Sequence, residues 1–136
     1  MKMTKEEVKE EFKQMEGDPK VKGKIRSIQQ SMARSRMMQA VPDADVIIRN
    51  PTHYAVALKY DLDRDNAPIV IAKGQDRIAL KIVEIGEQHG VKVLENKPLA
   101  RGLYASTPLN SEIPAEYYGI VAEILVEIFR LNKKLV

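Results

Sequence analysis

From residue 46 onward the chain switches repeatedly between two hydrophobic periods, and that alternation narrows the possible folds more than any other feature. Val46-Ile47-Ile48 is a short β-branched run of the kind a buried strand requires. It stops at Asn50-Pro51, because proline has no N–H to give to a ladder. Tyr54, Val56, Leu58 and Tyr60 then alternate with Ala55, Ala57 and Lys59, a second strand with period two. Residues 61–66 read as a polar turn and Ile69-Val70-Ile71 as a third strand. There the period changes. Gly74-Gln75-Asp76 opens a helix carrying Ile78, Ile82 and Ile85 at helical spacing, and Gly90, after His89, stands where a C′ glycine ends it. Residues 91–94 are a fourth strand. Pro98 fits the N1 position of a short helix through Leu99, Leu103 and Tyr104. Pro114 starts a longer helix. Its apolar stripe is Tyr117, Ile120, Val121, Ile124, Leu125, Ile128 and Leu131, and Glu116, Glu123, Glu127 and Arg130 lie opposite. Strands alternating with helices predict an α/β fold, a compact domain with a central mixed four-stranded sheet flanked by helices.

Residues 1–41 have a different character and are expected to form a long N-terminal helical linker, leaving 42–136 as the folded domain. Thr4 and Glu7 have capping-box spacing, and Val8, Phe12 and Met15 mark one helical face. Gly17-Asp18-Pro19 interrupts the helix. Val21, Ile25, Ile28 and Met32 resume its period, and Pro42 closes it. The arm carries too few apolar residues to form a core of its own. Between residues 20 and 40 it has six basic residues and no acid, although the net charge of the whole chain is only +3. Such an excess suits anionic lipid headgroups or an acidic partner, or a solvated helix face. Nucleic acid ranks last, since the stretch has no interleaved aromatics and no recognisable motif.

Several chemistries are excluded at the outset. With no cysteine there is no disulfide, thiolate nucleophile or thiolate metal site. His53 and His89 lie far apart without partners at metal-ligand spacing. Asp61, Asp63 and Asp65 resemble the start of a calcium loop, but the sharp-turn glycine and the closing glutamate are missing, so they read as a solvated turn. No cofactor and no metal are expected. No apolar run approaches the ~18 residues that cross a bilayer, and residues 1–16 lack the apolar core of a signal peptide. The piece is therefore expected to be soluble by itself, even if cut from a larger membrane protein.

What remains is Asn50-Pro51-Thr52-His53, between two strands. A turn is the plain reading, since Asn followed by Pro often reverses a chain. The residue types also permit something sharper. An asparagine usually degrades when the next backbone N–H attacks its side chain, and Pro51 has none. The route left is the reverse one. The Asn50 amide nitrogen attacks its own carbonyl carbon, a succinimide closes, and the bond to Pro51 breaks. Thr52, by hydroxyl or N–H, is a candidate to bond the developing oxyanion. His53 is a candidate to relay the amide proton or to protonate the leaving Pro51 nitrogen. Breakage over a year corresponds to a barrier of about 28 kcal/mol and breakage in minutes to about 21–22 kcal/mol. The loop must supply on the order of 6 kcal/mol, a scale near-attack positioning can reach.

The run ADVIIRNPTHYAVALKYD, with MARSRMM before it, resembles the C-terminal cytoplasmic domain of the FlhB/YscU/SpaS family, the export-switch proteins of bacterial flagella and type III secretion. AKGQDRIALKIVEIGEQHGV, ENKPLARGLY and IPAEYYGIVAEIL extend the likeness over residues 4–131, closer to the flagellar branch. The resemblance implies a full-length protein anchored by transmembrane helices ahead of residue 1, with this domain on the cytoplasmic face of the inner membrane. It implies self-cleavage at Asn50–Pro51, with both fragments staying together. It also implies a switch of export specificity from rod and hook to filament substrates, not a turnover enzyme. The implied partners are other export-gate components, a hook-length control protein and the export substrates. The competing expectation is a non-cleaving module that docks export substrates or partners through its basic arm.

Overall fold

The computed structural model describes residues 17–51 and 53–132. The expected helical face of Val8, Phe12 and Met15 lies outside them. The chain divides into a unit ending at Arg36 and a unit beginning at Met37. In the first, helix α1 (Pro19–Ala40) starts where the Gly-Asp-Pro break predicts. The Asp18 carboxylate accepts the Lys20 N–H at 2.9 Å, and its carbonyl accepts the Lys22 N–H at 2.8 Å. Pro19 then needs no N–H partner. No residue of α1 before Met37 is buried, in keeping with its thin apolar stripe: Ile28 and Met32 are exposed.

The second unit is built on a four-stranded sheet of β1 (Val46–Asn50), β2 (Tyr54–Lys59), β3 (Ile69–Gln75) and β4 (Lys92–Glu95). The spatial order is β3-β2-β1-β4. β1 and β2 form an antiparallel hairpin, β2 and β3 are antiparallel, and β1 and β4 are parallel. Helix α2 (Arg77–Gln88) joins β3 to β4, which lets β4 run parallel to β1. Helices α3 (Lys97–Ser106) and α4 (Tyr118–Leu131) follow.

The central position of β1 explains its unbroken apolar run. Val46, Ile47 and Ile48 are fully buried, because both faces of the strand are covered. Val46 and Ile48 join Val56, Leu58 and Val70 under α3 and α4. Ile47 faces the other way, with Ala55, Ala57, Ala72 and the α2 residues Ala79, Ile82 and Val83. Small residues on that face let α2 sit close. At Gly86 an added Cβ would collide with Ile47 Cδ1. Burying one such isoleucine contributes about 1.5–3 kcal/mol.

Local chemistry ends the elements. Gly90 takes φ +76°, the Val91 N–H reaches the Gly86 carbonyl at 2.8 Å, and the Gly90 N–H reaches Glu87 at 3.2 Å. This is a Schellman close. Asn96 caps α3, its side chain accepting the Leu99 N–H at 3.1 Å. Asn96→Ala is expected to cost about 1 kcal/mol, read as a lower denaturant midpoint with an unchanged slope. The Asp61–Asp65 turn uses its carboxylates on backbone N–H groups: Asp65 accepts from Asp61 at 2.9 Å and Asp61 from Asp63 at 3.0 Å.

Three expectations need correction. Gly74 and Gln75 belong to β3 and do not open the helix. Gly74 pairs with Ala55, and its missing side chain makes room for Ile78. Pro98 is the second residue of α3, because Asn96 takes the cap. The α4 stripe is also shifted. A 3₁₀ turn (Ala115–Tyr117) precedes the helix, and the buried line is Val121, Leu125, Ile128 and Phe129. Ile120 and Leu131 lie exposed, since α4 carries more apolar residues than one face can bury.

Candidate functional site

The Asn-Pro-Thr-His motif occupies the tip of the β1–β2 hairpin. Asn50 is the last residue of β1 and pairs across the ladder with Tyr54. The His53 backbone N–H donates to the Asn50 carbonyl at 3.1 Å. That carbonyl belongs to the link between Asn50 and Pro51, so the turn aims a fixed donor at the oxygen on which charge develops when its carbon is attacked. Asn50 and Pro51 are half-buried and His53 is exposed. Thr52 lies outside the described residues.

Neighbouring strands hold the tip from both sides. On the β4 side the Asn96 N–H donates to the Arg49 carbonyl at 3.0 Å. On the β3 side the register sets Gln75 against Tyr54, and the next residue, Asp76, donates its N–H to the His53 carbonyl at 2.9 Å. The carbonyls of Asn50 and His53 are therefore both engaged. The same register brings the Asp76 carboxylate to 3.9 Å from His53 Nδ1.

Beneath the tip, the Tyr54 ring packs on Tyr104 with centroids 4.8 Å apart. The Lys73 ammonium sits 5.0 Å from the Tyr104 ring centroid and donates to the Tyr104 carbonyl at 3.0 Å. A cleft of about 310 Å³ opens beside the turn, with Asn50, Pro51, His53 and Asp76 on one wall and Leu80 and Val83 of α2 on the other. On the far side Asn50 borders a second cleft carrying Lys97 and Arg101 of α3. Among the described residues, no three His, Asp or Glu side chains converge as a metal set. Nor is any helix among them long and apolar enough to cross a membrane.

Asn50, Pro51 and His53 are thus gathered at one corner, beside two groups that the sequence does not place there. One is the His53 backbone N–H, which residue type cannot reveal. The other is Asp76, whose approach depends on strand register and not on spacing.

Comparison with known proteins places this corner in a family. The family model described as FlhB HrpN YscU SpaS matches residues 1–128. The chain belongs to that family. Over 134 residues, 98% of this chain, it is 49% identical to the flagellar biosynthetic protein FlhB of Bacillus subtilis. It spans 37% of that relative's length, and similarly about a third of the other curated FlhB relatives. The crystal structure of the cytoplasmic domain of FlhB from Shewanella putrefaciens superposes with a TM-score of 0.69 at 44% identity, covering 74% of this chain and 78% of that one. A C-terminal domain of EscU with an Asn-to-Asp substitution gives 0.65 at 32% identity, covering 68% of this chain and 98% of that one. EscU domains have also been solved with that Asn, the Pro after it, or the His two residues beyond the Pro replaced by Ala. The spacing is that of Asn50, Pro51 and His53.

Proposed function

We propose that this chain is the cytoplasmic switch domain of a bacterial flagellar protein-export component, and that it cleaves itself once, between Asn50 and Pro51. The observation that carries the reading is the Asn50 carbonyl. It accepts the His53 N–H at 3.1 Å, at the tip of a hairpin whose two strands are paired into one sheet.

The step needs no outside reagent. Asn50 Nδ2 attacks the Asn50 carbonyl carbon, and a carbon–nitrogen bond forms as the bond to Pro51 breaks. One proton leaves Nδ2 and one arrives at the Pro51 nitrogen, with His53 as the relay. The oxyanion is met by the His53 N–H, and Thr52 is a further candidate donor. Water then opens the succinimide. Asn50 is consumed as nucleophile, so the event is single-turnover and not enzymatic catalysis.

After the cut, β1 leaves with Met1–Asn50 and the other three strands with Pro51–Val136. Pairing of β1 with β2 and β4, and the buried Val46, Ile47 and Ile48, hold the fragments together. The change is local: a carboxylate at residue 50, an amine at Pro51 and a released turn. In this reading export-gate components, a hook-length control protein and export substrates respond to that surface when specificity moves from rod and hook to filament substrates. Family membership and the short span relative to FlhB support a membrane-anchored parent, with this domain on the cytoplasmic face of the inner membrane.

The test pairs native and denaturing measurements on purified chain. One particle on native size exclusion that yields Met1–Asn50 and Pro51–Val136 in denaturing mass spectrometry is expected. A single intact mass after days at neutral pH leaves only a non-cleaving docking module.

A further inference from the structure

We propose that Asp76 is a positioning residue for the cleavage. Its carboxylate holds the His53 ring as the Nδ1–H tautomer and so leaves Nε2 free to carry the proton from Asn50 Nδ2 to the Pro51 nitrogen. The inference rests on the self-cleavage reading above and adds a residue from outside the motif.

Four observations converge on it. First, Asp76 is tied to His53 by its backbone N–H on the His53 carbonyl at 2.9 Å, and this tie brings its carboxylate Oδ1 to 3.9 Å from Nδ1. The second distance is too long for a hydrogen bond, so the Nδ1–H to Oδ1 bond forms only when these two exposed side chains close by about 1 Å.

Second, Asp76 has φ +52° and ψ −117°. The other described non-glycine residue with positive φ, Asn110, occupies a turn at φ +65°. The ψ of Asp76 lies outside the left-handed helical region, in backbone space that suits glycine. Holding an aspartate there costs on the order of 1–3 kcal/mol. Glycine would adopt this conformation without that cost.

Third, the ordinary use is absent. Asp76 immediately precedes α2, where an aspartate commonly caps a free N–H, yet its side chain makes no capping bond.

Fourth, among the described residues lining the cleft Asp76 is the only carboxylate. Arg49 and Arg77 are the cations, and His53 and Tyr54 are the other titratable groups. Both arginines line the same cleft, but the ion pair found for Asp76, at 3.9 Å, is with His53. With side chains 63% and 68% exposed, the His53–Asp76 attraction adds little stability. Its effect is to choose which ring nitrogen bears the proton.

Two readouts test this. The first is the cleavage rate of freshly synthesised chain. Asp76→Gly relaxes the backbone and keeps the N–H tie, and Asp76→Asn keeps the size without the charge. Both are expected to slow the appearance of Pro51–Val136 about ten-fold, a part of what a positioned proton relay contributes. In a His53→Ala background the same changes are expected to have no further effect. Undiminished rates, or equal slowing with and without His53, overturn the proposal.

The second readout needs no cleavage. In the Asn50→Ala chain, ring ¹⁵N shifts of neutral His53 are expected to show the Nδ1–H tautomer, changing to Nε2–H when Asp76→Asn is added. His89, whose Nδ1 lies 2.9 Å from the Ile85 carbonyl, is the internal standard for Nδ1–H and is unaffected. A His53 ring in the Nε2–H form in both chains sinks the inference. A chain that never cleaves but shows the tautomer change contradicts the self-cleavage reading and leaves the pairing standing.

Discussion

Asn50→Ala is expected to leave the chain in one piece for weeks at neutral pH, whereas the native sequence parts within minutes to hours. The effect is the largest available, because alanine removes the nucleophile itself. Without Nδ2 the bond falls back to solvent hydrolysis, and even an unassisted asparagine faces a barrier of about 28 kcal/mol, against about 21–22 kcal/mol for breakage in minutes. The ladder pair with Tyr54 and the His53 N–H both engage the backbone of residue 50, so alanine keeps the turn while deleting the reaction. Asn50→Asp is expected to stay whole as well, since a carboxylate has no amide nitrogen with which to close the imide. A denaturing gel of each variant over time reads the result, with circular dichroism confirming the fold. Cleavage of Asn50→Ala at the same bond would mean that another group, or another protein, makes the cut.

Ile48→Ala carries the second large effect, and its consequence depends on whether the chain has been cut. Ile48 is fully buried, pairs with Val56 on one side and Leu94 on the other, and packs in the cluster under α3 and α4. Its truncation costs about 2–5 kcal/mol, the range for opening a cavity in a core. In the uncut chain that is a loss of folding stability within one molecule. In the cut chain β1 is held by non-covalent contacts alone, so the same loss weakens association between fragments. At about 1.4 kcal/mol per factor of ten, the dissociation constant should rise roughly 30-fold to several thousand-fold. A dilution series on native size exclusion is expected to separate Met1–Asn50 from Pro51–Val136 in the Ile48→Ala chain at concentrations where the native pair stays joined. Equal behaviour of the two would show that β1 contributes little to cohesion.

Much of the fold was legible because side-chain period and punctuation agree with the final packing. The run at 46–48 predicts a strand covered on both faces. The large–small alternation of β2 matches the thick layer of α3 and α4 on one side and the close approach of α2 on the other. Gly90 marked the end of α2 by the positive φ it adopts. Tertiary geometry decided the misses. Gly74 looked like a helix opener, yet its lack of a side chain serves strand pairing beside Ile78. The α4 stripe includes the buried Val121, Leu125 and Ile128, but Ile120 and Leu131 lie exposed and Phe129, outside the stripe, is buried. At the corner, residue types alone raised the Asn50 chemistry but left a plain turn open, and family likeness made the motif specific. What no local pattern could reveal was the turn bonding the Asn50 carbonyl to the His53 backbone, and β3 carrying Asp76 to the His53 ring.

Time-resolved mass spectrometry of freshly synthesised native chain tests self-cleavage most directly, because it reads the chemistry at the new end. An early N-terminal fragment ending at residue 50 and lighter by one water is expected, the mark of the closed imide, gaining that water as a Pro51–Val136 partner accumulates with the same kinetics at every chain concentration. A chain that stays whole, a first cut at any other bond, or a rate that requires added protein contradicts it.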